Sequence, residues 1–302
     1  MGDDARAGGL SRDWPVTPRT LIVSAADRNF FPLLRDLIAS LAALSPRPFT
    51  DIACFDLGLT PAERDTVGAA VRHWSIPDWD LPVAEATCAA HPELRALTVR
   101  PFLPRYFPGY DVYLWIDADA WVQRAFALEW HIAGAADGAL AAATHADRAY
   151  RHTPDTLRWR YSRAVAYGGR ALAERLMWER YYNAGVFALR ADAPHWPAWA
   201  GCLAAGLAAT NGTLCCDQTA LNAALLEHAL PATPLPATCN WLCHLAAPAY
   251  DPAGQRYCEP HPPHQTIGIL HLTGAAKDDL ARSDSARMGL RYPGTSRTAI
   301  PA

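Results

Sequence analysis

No part of the 302-residue chain holds eighteen unbroken apolar residues, so no segment has the length needed to cross a bilayer as a helix. The first fourteen residues lack an apolar core of signal-peptide length, and a cytoplasmic location is the expectation that follows. An excess of charge is missing too. With 27 basic and 30 acidic side chains the net charge is -3, which gives no general polyanion-binding surface and argues against nucleic acid as a partner. A disulfide framework is absent from the pattern: the eight cysteines are scattered and Cys215 and Cys216 are adjacent, which suits reduced thiols in a core. There is no internal repeat. What is present is apolar bulk, 51% of residues, enough for the substantial core of a soluble globular protein.

Apolar runs alternate with helical spacings. Residues Thr20 to Ala25 read as a buried strand, and Phe30, Leu33, Leu34, Leu37, Ile38 and Leu41 then recur at helical intervals. A second unit begins at Thr50, turns at Gly58 and enters a helix opened by Thr60, Pro61 and Glu63. Val112 to Ile116 supplies a central strand, with Ala139 to Thr144, Ala184 to Leu189 and Thr266 to Leu272 as further strands. The alternation predicts an α/β fold on a mainly parallel central sheet. Thr156 to Glu179, rich in Arg, Trp and Tyr, reads as a surface or lid segment, and the proline-crowded residues 229–265 as a long irregular loop. Three divisions follow: a loose leader over 1–18, one domain over 19–280 and a mobile tail over 281–302. The tail's Arg282, Arg287, Arg291 and Arg297 suit a weak contact with the inner face of a membrane.

The segment from Tyr113 to Trp121, YLWIDADAW, breaks from an apolar run into two aspartates one residue apart. In open α/β sheets ligands collect beyond the carboxyl ends of the strands. Keeping Asp117 and Asp119 both ionised there is costly without a cation, and Mg²⁺ or Mn²⁺ favours carboxylate oxygens together with phosphates. Helix capping or a solvated loop is the competing use of such a pair. Cys239, Cys243 and His244 bring three possible zinc ligands close in sequence; no second pair at finger spacing completes the set, though Cys258 or His261 could do so in space, and buried small hydrophobes are the better reading.

Four further segments stand in order around the aspartates. They are Ala25-Ala26-Asp27-Arg28-Asn29-Phe30 after the first strand, Arg100 seventeen residues before Asp117, Asn183-Ala184-Gly185, and Asp217-Gln218. Near the end ILHLTGAAK has the form H-x-x-G-x-x-K, with His271, Gly274 and Lys277. Together these resemble glycosyltransferase family 8, retaining enzymes of GT-A fold that include glycogenins and bacterial lipopolysaccharide galactosyltransferases and glucosyltransferases; the resemblance spans about residues 20 to 280.

The resemblance implies a single Rossmann-like nucleotide-diphospho-sugar transferase domain. It implies that Ala25, Asp27 and Asn29 hold the uracil of a UDP-sugar, with Phe30, commonly Tyr in the family, stacking on it. Asp117, Asp119 and His271 would bind Mn²⁺ or Mg²⁺, with Ala118 beside the donor, Gly274 close to the diphosphate and Lys277 as its cation. Where the family pattern continues Lys-Pro-Trp this chain has Lys277-Asp278-Asp279, which sets two carboxylates near an anionic ligand. Arg100 would help place the donor sugar, Asp217 would bind its hydroxyls, Asn183 would lie toward the acceptor and Gln218 would face the anomeric carbon. The implied activity is transfer of a hexose to an acceptor hydroxyl, a lipid-linked or surface glycan being the acceptor suggested by the family. A binding protein without turnover and a nucleotidyltransferase making the sugar nucleotide are the alternatives; the second should carry a Gly-rich loop, and residues 20–30 contain no glycine.

Overall fold

The computed structural model describes residues 17–273; Gly274, Lys277 and residues 281–302, together with residues 1–16 of the leader, lie outside them. The first strand–helix unit is β1 (Thr20–Ala26) and α1 (Phe31–Ala42), and the second is β2 (Asp51–Asp56) and α2 (Pro61–Gly68). Thr60 caps α2 as its spacing to Glu63 predicts: the Glu63 amide donates to Thr60 Oγ1 (3.2 Å) and the Thr60 amide to Glu63 Oε2 (2.7 Å). Then follow β3 (His73–Ser75) and three short helices, α3 (Glu85–Ala90), α4 (Arg95–Thr98) and α5 (Leu103–Tyr106). The chain continues through β4 (Val112–Ile116), β5 (Ala120–Val122), α6 (Phe126–Gly134), β6 (Leu140–Thr144), α7 (Pro154–Trp178), β7 (Tyr182–Arg190), α8 (His195–Ala209) and α9 (Asp217–Glu227). It closes with β8 (Ala232–Leu235), β9 (Trp241–Leu242), β10 (Ala249–Asp251), β11 (Arg256–Cys258) and β12 (Ile269–His271).

Seven strands form the central sheet in the order β3-β2-β1-β4-β7-β6-β8. The pairs β3-β2, β2-β1, β1-β4 and β6-β8 are parallel, whereas β7 runs antiparallel to both neighbours. The sheet is therefore mainly parallel, with one reversed strand that apolar patterning alone does not distinguish. Every residue of β4 is buried, and its side chains alternate between two cores. Tyr113 and Trp115 face the cluster with α8 and α9, while Val112, Leu114 and Ile116 face the one with α1 and α6.

Three expectations are corrected. Thr266 to Leu272 adds no strand to the central sheet: β12 belongs to a separate three-stranded sheet, β5-β12-β9. Residues 229–265 are not one irregular loop. They hold β8 to β11, strands of two to four residues too short to set up a visible alternation, and Pro234 sits in β8 because that strand is an edge, where a missing amide donor is tolerated. Thr156 to Glu179 is not a surface segment throughout: α7 buries Ala164, Tyr167, Leu172, Ala173 and Leu176. It kinks at Gly168 and Gly169, the latter at φ 75°, a conformation open to glycine. Cys239, Cys243 and His244 go to three places: Cys239 into the core under α1, Cys243 into a third core, and His244 to the wall of a cavity. Among the described residues no helix is long and apolar enough to cross a membrane.

Candidate metal and nucleotide site

The site begins where β4 ends. The Asp117 amide donates to the Gly185 carbonyl of β7 (2.8 Å), and a tight turn closes as the Ala120 amide donates to the Asp117 carbonyl (3.0 Å). The chain then enters β5, where Ala120 stands opposite His271 of β12, and the Leu272 amide donates to the Asp119 carbonyl (2.9 Å). The D-x-D turn thus joins the two sheets, and their junction brings His271 to the aspartates across more than 150 residues of chain.

One ligand atom from each of Asp117, Asp119 and His271 lies within 4.8 Å of the others, the only such His/Cys/Asp/Glu cluster among the described residues. His271 Nε2 is 3.6 Å from Asp117 Oδ2 and 3.2 Å from Asp119 Oδ1. A relay of amides fixes the partner of the ring's other nitrogen. The Gly185 backbone N–H, which can only donate, donates to Asn183 Oδ1 (2.9 Å); Asn240 Nδ2 donates to the same oxygen (2.9 Å), so Asn240 Oδ1 is turned toward His271 Nδ1 (2.9 Å). A proton is therefore required on Nδ1, so Nε2 is the nitrogen left to offer a lone pair to a cation held between the two carboxylates. Three lone-pair donors converging on one point, with a second hydrogen bond fixing the imidazole, is the arrangement a divalent cation stabilises. Gly185 leaves room for it: a Cβ there would lie 2.2 Å from His271 Cε1 and 2.6 Å from Asp117 Oδ2. The residues fit a Mn²⁺ or Mg²⁺ ion.

Asp117 is divided between two neighbours. Its Oδ2 faces His271, while Oδ1 accepts from Arg100 Nη2 (2.5 Å) and Trp115 Nε1 (2.7 Å). Arg100, only 5% exposed, also donates through Nη1 to Asp217 Oδ2 (2.6 Å) and the Ala184 carbonyl (3.2 Å), and lies 4.8 Å from the Trp115 ring centroid. Burial opposes its charge, but Asp117 and Asp217 outweigh that and hold the guanidinium above its ordinary pKa. Burial pushes the Asp217 carboxyl above its usual range, against the pull of Arg100. Removing one partner of such a buried pair typically costs about 3–5 kcal/mol. Arg100 Nε is buried without a hydrogen-bond partner among the described residues.

A cavity of about 200 Å³ extends from the aspartates along the end of β1. Ala25, Asp27, Phe30, Arg100, Asp117, Ala118 and Asp119 all line it, with Trp115, Leu57 and Leu97 among the other walls. Asn29 does not; it is exposed and lines a neighbouring depression with Asp27 and Glu63. Asp27 Oδ1 accepts from the Phe30 amide (2.9 Å), so it caps the turn into α1 as well as facing the cavity.

Asn183 and Gln218 meet beside Gly185. Gln218 Oε1 accepts from Asn183 Nδ2 and the Ala184 amide, each at 3.0 Å. His145 adjoins both, its Nε2 lying 3.3 Å from Asn183 Nδ2 and 3.4 Å from Gln218 Nε2. Burial, then the nearby His244 and Arg160, pulls His145 down to about 3, so it is neutral and accepts through Nε2. Asn240, His145 and Trp115 were not singled out from the sequence. Asn240 sits in a stretch without periodicity, and the only signal for it was the general need of a metal-binding histidine for a partner on its second nitrogen.

No family model matches the sequence, and no curated protein sequence matches it. Solved structures with the same fold do exist. The galactosyltransferase LgtC in complex with donor and acceptor sugar analogues superposes with a TM-score of 0.55 at 17% identity, covering 93% of this chain and 97% of that one. An active-site mutant of LgtC gives 0.52 at 17% identity, covering 84% and 87%. The apo bifunctional glycosyltransferase WbbM gives 0.53 at 14% identity, with 87% of this chain matching 47% of that one. The chain has the mixed α/β architecture of GT-A glycosyltransferases.

Proposed function

We propose that the chain is a metal-dependent, retaining glycosyltransferase of family 8 type, which moves a hexose from a UDP-sugar to an acceptor hydroxyl, a surface or lipid-linked glycan being the acceptor class. The observation that carries this reading is the amide relay from Gly185 to His271, which leaves a lone pair facing Asp117 and Asp119 at the mouth of a nucleotide-sized cleft.

When bound, the divalent ion supplies Lewis-acid stabilisation of the departing diphosphate. The chain's own residues do the rest. Ala25 and Asp27 offer hydrogen bonds to the uracil edge, and Phe30 offers a ring face. Arg100 and Asp217, locked together, form the polar wall against which the donor sugar is oriented. Gln218 lies beneath that sugar; its carbonyl oxygen already accepts two hydrogen bonds, which lowers its nucleophilicity and favours a same-face route through an oxocarbenium-like ion pair over a covalent intermediate. In that step the acceptor oxygen bonds the anomeric carbon as the bond from that carbon to the diphosphate breaks, and the acceptor's hydroxyl proton passes to the departing diphosphate. Lys277 and Gly274 belong to the same reading as diphosphate contacts.

The test is incubation of the purified protein with UDP-glucose and UDP-galactose, with Mn²⁺ or with chelator, following release of UDP. Metal-dependent release that retains the anomeric configuration of the sugar supports the proposal. Formation of a UDP-sugar from UTP and a sugar 1-phosphate, with no UDP release, contradicts it.

A further inference from the structure

A second cavity, of about 470 Å³, adjoins Gln218 through His145, which lines it. His145 links this cavity to the proposed transfer site, its Nε2 lying 3.3 Å from Asn183 Nδ2 and 3.4 Å from Gln218 Nε2. The N-terminal half of α7 contributes Asp155, Trp159 and Arg160, and Tyr181 and His244 close the other sides. Tyr181 packs edge-on against His145 at 5.4 Å and carries the Arg160 guanidinium 4.0 Å from its ring centroid. An aromatic and cationic path therefore runs from the transfer site to Arg160.

The charges in this cavity do not cancel. Asp155 pairs with Arg158 (2.9 Å) in a largely exposed pair, so solvent screens its charge. Burial depresses His145 to about 3 and His244 to about 4, so both are neutral near pH 7. Arg160 donates to the Leu176 carbonyl, but among the described residues no carboxylate lies within ion-pair distance of it, and its buried Nε has no hydrogen-bond partner. A half-buried guanidinium with an unused donor costs stability unless an anion completes it, and its planar fork matches a carboxylate or phosphate.

We propose that this second cavity receives the acceptor, and that Arg160 selects acceptors whose sugar carries an anionic substituent, a carboxylate or a phosphate. Trp159, 46% exposed, provides a flat apolar face on which a pyranose stacks, Tyr181 backs the Arg160 guanidinium, and His145 bounds the end at which the attacking hydroxyl meets the donor sugar. This inference rests on the glycosyl-transfer reading above.

The experiment measures binding of four soluble glycosides to the protein loaded with UDP and Mn²⁺: methyl glucoside, methyl galactoside, methyl glucuronide and methyl glucoside 6-phosphate. UDP affinity is read in the same titrations. Two variants accompany the wild type. Arg160→Gln removes the charge, and Leu157→Glu places a carboxylate on the cavity wall at a residue 39% exposed, where the fold is little affected. The expected result is at least about tenfold tighter binding of one anionic glycoside than of the neutral ones. That preference should fall to near parity in both variants while UDP affinity is unchanged. Whether glucuronide or 6-phosphate gains tells a carboxylate-bearing acceptor from a phosphorylated one. Equal affinity for neutral and anionic glycosides, no binding of any of them with UDP bound, or a preference that survives both substitutions overturns the proposal. Failure of UDP itself to bind contradicts the glycosyl-transfer reading, and this inference with it.

Discussion

Asn240 acts on the candidate metal without touching it. By accepting from His271 Nδ1 it sets which ring nitrogen carries the proton, and Asn183 in turn sets the orientation of Asn240. Asn240→Ala should lower Mn²⁺ affinity about 10- to 100-fold, a typical effect of removing such a partner, with Asp117 and Asp119 still in place; calorimetric Mn²⁺ titration checks this. Gly185→Ala should be more severe, because the added methyl would occupy the space between His271 and Asp117. Loss of detectable Mn²⁺ binding with an unchanged circular dichroism spectrum is expected. Asp117 and Asp119 were legible in the sequence because paired carboxylates at a strand end carry chemical meaning at short spacing; His271, which the structure brings to them, and Arg100 were suggested only by the family resemblance. Asn240 and His145 were not, since an amide and a lone histidine acquire their roles only through partners distant in the chain.

At the scale of elements, the start of α9 presents Asp217 and Gln218, and it is held from α7 and α8. Trp199 Nε1 of α8 donates to the Asp217 carbonyl (2.9 Å), and the Cys216 amide donates to Tyr167 Oη of α7 (2.5 Å). Gly206 of α8 makes room for that tyrosine: a Cβ would stand 2.3 Å from the Tyr167 ring. Gly206→Ala should therefore overpack the α7–α8 contact and cost about 1–3 kcal/mol, read as a lowered midpoint in urea unfolding with little change in slope. Strands with long apolar runs, β1, β2, β4 and β6, were readable with boundaries good to a residue or two, because burial on both faces of a sheet demands such runs. The direction of β7, the separate sheet holding β12 and the strands between 229 and 265 were not, because pairing partners and strand sense are decided by contacts across the fold.

At the scale of the whole molecule, stability should depend on pH through buried neutral histidines. His131 is fully buried in α6, donates to the Ala127 carbonyl (2.6 Å) and is pulled by burial from 6.5 to about 4. Below about 6.5 the unfolded chain binds a proton that the folded chain refuses, so stability is full above that pH and declines as pH falls toward 4. Thermal midpoints should drop across that window, and His131→Leu should flatten part of the fall, of order 3 kcal/mol for a shift of this size. A GT-A architecture shared with glycosyltransferases at 14–17% identity supplies the frame, and the geometry around His271 argues that the frame is in use. The most direct measurement is a calorimetric titration with UDP, with and without Mn²⁺, on the wild type and on Asp119→Ala. UDP binding that requires Mn²⁺ and disappears in the variant is the predicted result; UDP binding that ignores both the metal and the substitution, or no binding under any condition, would contradict the account.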